Sequence, residues 1–252
     1  MRITFLGTGT SHGVPMIGCD CPVCRSDDPK NTRTRSSVYI ETGESRILID
    51  TTPEMRIQML REDISRVDAI LFTHSHADHI FGLDDVRRFN DFNRCALPCY
   101  GNDVTLRDIR RSFEYVFVPT QIGGGKPSLD LIAVNGPFTA AGISVIPIKV
   151  KHGKLDVLGY RIGDFAYVTD VSFIPETSLD LLENLNTLVL GVIRPKPHET
   201  HLSLGEGVEL VEMLQPKRAY FTHIAHQLDH QSTNAILPQH IRLAYDGLQI
   251  DV

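Results

Sequence analysis

The stretch Leu71–His79, LFTHSHADH, decides how this chain is to be read. Its first residues end an apolar run, Asp68–Thr73, with the aliphatic content of a buried strand, and a helical pattern is expected just beyond the last histidine. Between the two, His74, His76, Asp78 and His79 put four donor side chains into six residues. No regular strand or helix points four such side chains one way, but a tight turn can converge them. Imidazole nitrogens and carboxylate oxygens hold zinc, manganese or iron in hydrolytic centres, and donor type alone does not choose among those ions.

Working outward, three more donors follow directly on predicted strands. His152 comes after Ile143–Val150, Asp170 after Phe165–Thr169, and His223 after Arg218–Thr222. Strand ends on one side of a sheet are where layered folds assemble their sites. Seven donors suffice for two divalent ions about 3.5–4 Å apart, with a carboxylate bridging them and a metal-bound hydroxide as nucleophile. The alternative for each remote donor is an unrelated core or surface residue.

Other strands are expected at Ile3–Leu6, Ser37–Glu41, Arg46–Asp50, Leu97–Gly101, Leu158–Ile162 and Thr187–Gly191. Helical patterns fall at Pro53–Arg61, Val104–Ser112, Ser178–Asn184 and Ser203–Leu214, the last opening on a Ser203/Glu206 capping box. Mixed strands and helices imply a layered α/β or α+β domain, and the early hairpin Ser37–Glu41/Arg46–Asp50 means that the sheet is not purely parallel. QIGGGKP (Gln121–Pro127) reads as a mobile loop too short to link domains, so residues 1–252 are expected to form one domain.

Composition narrows the partners. Lys+Arg 25 against Asp+Glu 31 leaves a net charge of −6, which argues against a long nucleic acid. No run approaches the roughly 20 apolar residues of a membrane span, and the N-terminus lacks a signal-peptide pattern, so a cytoplasmic location is expected. Five cysteines is an odd count, and Cys19, Cys21 and Cys24 crowd into CDCPVC. Three thiols on one loop suit a structural zinc in a reducing compartment, provided that a fourth donor closes the tetrahedron; a redox or merely buried group is the alternative. Cys95 and Cys99 read as packing.

On these residues the chain resembles the metallo-β-lactamase superfamily, whose signature is H-x-H-x-D-H after a strand. LGTGTSHGVP near the start, the C-x-C-x-x-C after it, THSHADHIFGL, the Thr169–Asp170 pair and THIAHQLD are similar to the phosphoribosyl cyclic phosphodiesterases of phosphonate metabolism. The resemblance covers nearly the whole chain and implies an α+β, four-layer αββα sandwich. It implies one metal on His74, His76 and His152, a second on Asp78, His79 and His223, and Asp170 as the bridge. It supplies His226 as the fourth donor to a structural zinc, and Asp50 as the acid that orients the ligand turn from behind. It also suggests a homodimer.

His201, in HETHLSL, sits where that family carries a histidine facing the metals. Together with Asp78 it is read as catalytic, stabilising the phosphate or protonating the leaving oxygen. Arg194 and His198, with Lys196, could line a phosphate pocket, solvated loop charges being the other reading. Arg33 and Arg35 are candidates for contact with an anionic substrate, and His12 for reaching the substrate or filling its loop. Gly7, Gly9 and Gly13 miss the G-x-G-x-x-G spacing of nucleotide binding. The expected activity is hydrolysis of a small, cyclic or linear phosphodiester. Hydrolysis of a thioester, lactone or other acyl substrate is the alternative, followed by tRNA 3′ processing and by a metal-stabilised binding protein without chemistry.

Overall fold

The structure, a computed structural model of the 252-residue chain, describes residues 1–119 and 125–252. Gln121–Gly124 of the glycine-rich stretch therefore lie outside the described residues. Just after them, Lys126 Nζ donates to the carbonyls of Tyr115 and Val118.

Apolar runs such as Ser37–Thr42 and Thr187–Arg194 are buried almost throughout, because alternate side chains enter two different cores. Val38, Ile40, Ile47, Ile49, Ala69 and Leu71 of one sheet meet Val145, Leu158, Tyr160, Phe165, Tyr167 and Val189 of another in a shared middle core. Their neighbours in sequence point outward. Tyr39, Leu48 and Ile70 pack with Met55, Phe89, Leu106 and Ile109 of the helices Met55–Arg61, Arg87–Asn93 and Asp103–Ser112. On the far side, Ala166, Val168, Leu188, Leu190 and Val192 pack with Val211 of the helix Leu204–Leu214. Helix, sheet, sheet, helix is thus the layering that the resemblance implied.

The first sheet runs Gln249–Asp251, Arg2–Gly7, Ser37–Thr42, Ser45–Ile49, Ala69–Leu71, Leu97–Gly101, Leu129–Ala133 from edge to edge. The second runs Ile241–Leu243, Arg218–Thr222, Thr187–Arg194, Phe165–Val168, Leu155–Ile162, Ile143–His152, Phe138–Ala140, with Leu202–Ser203 pairing Thr187–Arg194 off that path. Each sheet mixes antiparallel pairs with a parallel block. Ser45–Ile49, Ala69–Leu71 and Leu97–Gly101 are parallel, as are Phe165–Val168, Thr187–Arg194 and Arg218–Thr222. Parallel neighbours bring their C-terminal ends to one edge, and Asp50, His74, Asp170 and His223 all follow such ends.

Several sequence expectations need correction. The predicted strand Asp68–Thr73 pairs only over Ala69–Leu71, and Ser178–Asn184 is instead a short helix, Glu176–Leu179, followed by a 3-10 turn, Asp180–Leu182. The edge strands Leu129–Ala133, Ile241–Leu243 and Gln249–Asp251 were not anticipated; they are short, and half-exposed residues dilute their apolar signal. Ser203 and Glu206 do form the capping box. Among the described residues no helix is long and apolar enough to cross a membrane.

Candidate metal centre and the cleft beside it

The HSHADH turn converges because its strand stops early. After Leu71 the chain leaves the sheet, and Ala77–Ile80 closes one helical turn with His76 as its N-cap. Ser75 Oγ holds this turn from the helix Asp103–Ser112, donating to Asp108 Oδ2 at 2.6 Å. The backbone holds it from the opposite side, where Thr51 N–H donates to His79 O at 2.8 Å.

Two donor groups result. His74, His76, His152 and Asp170 bring one ligand atom each within 4.8 Å of one another, and so do Asp78, His79 and His223. Asp170 stands between the groups. Its Oδ2 lies 3.7 Å from His74 Nε2 and 3.8 Å from His152 Nε2, whereas its Oδ1 lies 3.3 Å from His79 Nε2 and 3.0 Å from His223 Nδ1. One carboxylate thus turns a separate oxygen to each set. His74 Nε2, His79 Nε2 and His223 Nδ1 are fully buried with no hydrogen-bond partner. Buried polar nitrogens left without partners are costly, so the donor set fits divalent cations.

The remote ring nitrogens of four of the five histidines are held. His79 Nδ1–H donates to Asp50 Oδ2 at 2.7 Å, and His152 Nδ1–H to Thr200 O at 2.6 Å. His74 Nδ1–H donates to Thr73 Oγ1 at 3.0 Å, and that hydroxyl donates on to Asp50 at 2.8 Å. His223 Nε2 pairs with Thr10 Oγ1 at 3.2 Å. Such partners fix ring orientation and tautomer and leave the inward nitrogen's lone pair free. Asp50, wholly buried, also accepts the Thr73 N–H, so one carboxylate braces the turn at three points.

Charge follows the same geometry. Burial alone would depress His79, but Asp170, Asp78 and Asp50 outweigh it and raise its pKa well above the usual range. Burial, with His79 beside it, lowers His74. Backbone strain marks the same places: Asp50, Asp170 and His223 have φ of 63°, 48° and 58°. Left-handed conformations in non-glycine residues cost on the order of 1–3 kcal/mol and persist only where the surroundings impose them. Gly191 is part of that imposition, since a Cβ there would come within 2.9 Å of Asp170 N.

His201 is placed with this group. Its ring centroid lies 4.5 Å from that of His152 and 4.9 Å from that of His223, and Asp170, His201 and His223 form a further possible donor trio. Burial, then the nearby His223, lowers its pKa to about 3, so the ring is neutral at pH 7. His201 also borders a cleft of about 280 Å³, with Thr10, Ser11, His12, Arg194 and His198 around it. Arg194 and His198 are thus brought to the site, as is His12. Arg33 and Arg35 are not. Arg33 is buried and donates to Thr8 Oγ1 and Ala244 O, and Arg35 donates to Ser11 O and pairs with Glu54. Both tie the N-terminal loops to their neighbours, and the expected contact with substrate is withdrawn.

The CDCPVC loop meets His226 as expected. The Nδ1 of His226 lies 3.1, 3.3 and 3.7 Å from the sulfurs of Cys19, Cys21 and Cys24, and the four donors are mutually within 4.8 Å. A hydrogen bond from the Cys24 N–H lowers Cys21 to about 6, toward the thiolate that a metal needs. Cys99 is packed in the core, but Cys95 is exposed, so the packing expectation holds for one of that pair only. The threonines Thr10, Thr73 and Thr200, and the Ser75–Asp108 contact, escaped sequence reasoning. Adjacency to a histidine marks Thr73, Ser75 and Thr200, and nothing in the sequence marks Thr10 or Asp108.

Known proteins share this fold. The family model of the beta-lactamase superfamily domain matches residues 45–224. A solved structure of a new diphosphatase from the PhnP family superimposes with a TM-score of 0.93 and 44% identity, over 100% of this chain and 97% of its own. Zinc-bound PqqB from Methylobacterium extorquens shares the fold, with a TM-score of 0.83 at 18% identity and full coverage of both chains. Among curated proteins, an octanoyltransferase of Porphyromonas gingivalis is 38% identical over 99% of this chain but 51% of its own length. Coenzyme PQQ synthesis protein B of Rhodopseudomonas palustris is 25% identical over 60% of this chain and 52% of its own. The chain spans about half the length of these curated relatives.

Fold and relatives together define the class, a metal-dependent hydrolase. The chain belongs to the metallo-β-lactamase superfamily and, through its 44%-identical neighbour, to the PhnP family within it.

Proposed function

We propose that this chain is a phosphoric diester hydrolase acting on a small substrate, with residues 1–252 working as one domain. The observation that carries the reading is the cleft. Arg194, His12, His198 and His201 line it with Thr10 and Ser11, beside the donor groups that His201 and His223 join, and the carbonyls of Lys196 and Pro197 hold the Arg194 guanidinium. Such a lining offers hydrogen-bond donors to phosphoryl oxygens.

In this reading His74, His76 and His152 hold one divalent cation, Asp78, His79 and His223 the other, and Asp170 serves both. Zinc or manganese is the pair of ions we assign, and iron is equally compatible with these donors. Bound there, the two cations would polarise the phosphoryl group and activate water at neutral pH. The side chains then have separate tasks. Asp50 keeps the His79 ring aimed inward and, through Thr73, that of His74. His201 presents an N–H from between His152 and His223, where charge develops on the phosphate or the departing oxygen. Arg194 and His198 would orient the rest of the anion. Cys19, Cys21, Cys24 and His226 take a structural zinc, which suits a reducing compartment such as the cytoplasm.

A second reading, cleavage of a phosphoric anhydride, is favoured by the diphosphatase at 44% identity. The octanoyltransferase name belongs to a protein about twice as long. The test is a screen of the metal-loaded protein on cyclic phosphodiesters, aryl phosphodiesters, diphosphates, thioesters and lactones. Phosphodiester turnover that disappears in Asp78→Ala and falls in His201→Ala is expected. Turnover of diphosphates alone would favour the second reading, and turnover of acyl substrates alone would overturn both.

A further inference from the structure

The far wall of the cleft is built by the thiol loop. Met16 and Gly13 line it from the N-terminal side, His226 and Gln227 from the C-terminal side. No strand or helix holds Met16: Pro15 and Gly18 flank it in an irregular loop, and its neighbour Ile17 is 99% exposed. Its anchors are two hydrogen bonds to the cysteine cluster. The Met16 N–H donates to Cys24 Sγ at 3.3 Å, and the Met16 carbonyl accepts from the Cys19 N–H at 3.0 Å. His226, whose Nδ1 faces the same three sulfurs, also lines the cleft.

We propose that the cysteine–histidine cluster is a specificity element. It sets the position of Met16 and His226, and these two residues form the wall against which the group attached to the reacting phosphate packs. The cleft, about 280 Å³, has room for one ring-sized group such as a sugar or a nucleobase. Binding in the cleft and occupancy of the thiol site are then coupled, and coupling of this kind is reciprocal. This rests on the phosphodiesterase reading for the identity of the reacting group, but not for the geometry of the wall.

The experiment is calorimetric binding of two probes, inorganic phosphate and a nucleoside monophosphate, to the metal-loaded protein. Wild type is expected to bind the nucleoside monophosphate more tightly than phosphate. Met16→Ala should weaken the nucleoside monophosphate about tenfold, leave phosphate unchanged and keep the full metal content, and Met16→Leu should restore most of the loss. Cys24→Ser should do the same as Met16→Ala while losing the thiol-bound metal, and Cys95→Ser should change nothing. With aryl phosphodiesters, Met16→Ala should raise KM for a nucleoside ester, spare a methyl ester and leave kcat unchanged. Equal affinities in wild type and Met16→Ala overturn the proposal, as does a wild type that prefers neither probe. If Cys24→Ser does not fold, the methionine variants decide alone. A wild type that turns over no phosphodiester, yet shows the binding difference, ends the phosphodiesterase reading and leaves this one standing.

Discussion

The two donor clusters of this protein are built on opposite plans. The histidine–aspartate centre lies between two sheets, and four of its five histidines are held by a partner behind the ring, Asp50, Thr73, Thr10 or Thr200. Strained backbone at Asp50, Asp170 and His223 is imposed by the strands that end there. The cysteine cluster sits half-exposed on a loop, where its sulfurs meet chiefly one another, His226 and a few backbone N–H groups. The difference teaches where the energy comes from. The first cluster is organised by the core of the fold, whereas the second organises the loop around it.

The largest effect expected from breaking that contrast is at Asp170. Asp170→Asn removes a charge that faces both donor sets, so metal analysis should find the main-site ions lost together, by more than the about 10–100-fold in affinity that outer partners are worth. Asp50→Asn comes next. It leaves every donor in place but loosens His79 and Thr73, and metal affinity or activity should fall about 10–100-fold, with near-native circular dichroism. Loss of only one ion in Asp170→Asn would break the picture of a shared carboxylate.

The loop cluster should respond in stability before chemistry. Cys19→Ser, or a chelator that strips only the thiol site, should lower Tm by about 2–4 °C for each kcal/mol of metal binding lost, as scaling for a chain of this size predicts. A Tm unchanged on stripping would mean that the loop holds itself. The smallest effect belongs to a control outside both clusters, the capping box. Ser203→Ala should cost about 1 kcal/mol at neutral pH in denaturant unfolding. Hydrogen bonds from Ser203 hold Glu206 below its usual pKa of 4.5. Its contribution is therefore complete above that value and is lost as pH falls through the depressed one, and the gap between wild type and variant should narrow only in that acid window.

Legibility in the sequence followed the same division. His74, His76, Asp78 and His79 were readable because a single turn carries them, and His152, Asp170 and His223 because each follows an apolar run. The middle-layer strands were readable for the same reason. For Arg33 and Arg35 the sequence leaves substrate contact open as one reading, since a charge in a loop does not show its partners; the structure ties Arg33 to Thr8 and Ala244 and Arg35 to Ser11 and Glu54. The edge strands escaped because half-exposed residues carry little periodicity.

By itself, then, the sequence determined the donor types, their attachment to strand ends, and the layered fold that mixed apolar runs and helical patterns imply. Tertiary structure alone decided that Asp170 gives one oxygen to each donor set, that threonines brace the rings from behind, and that Met16 stands in the cleft on hydrogen bonds to Cys19 and Cys24. The reason is physical. Donor identity is a property of single residues, whereas the direction in which a lone pair points depends on contacts between segments far apart in the chain.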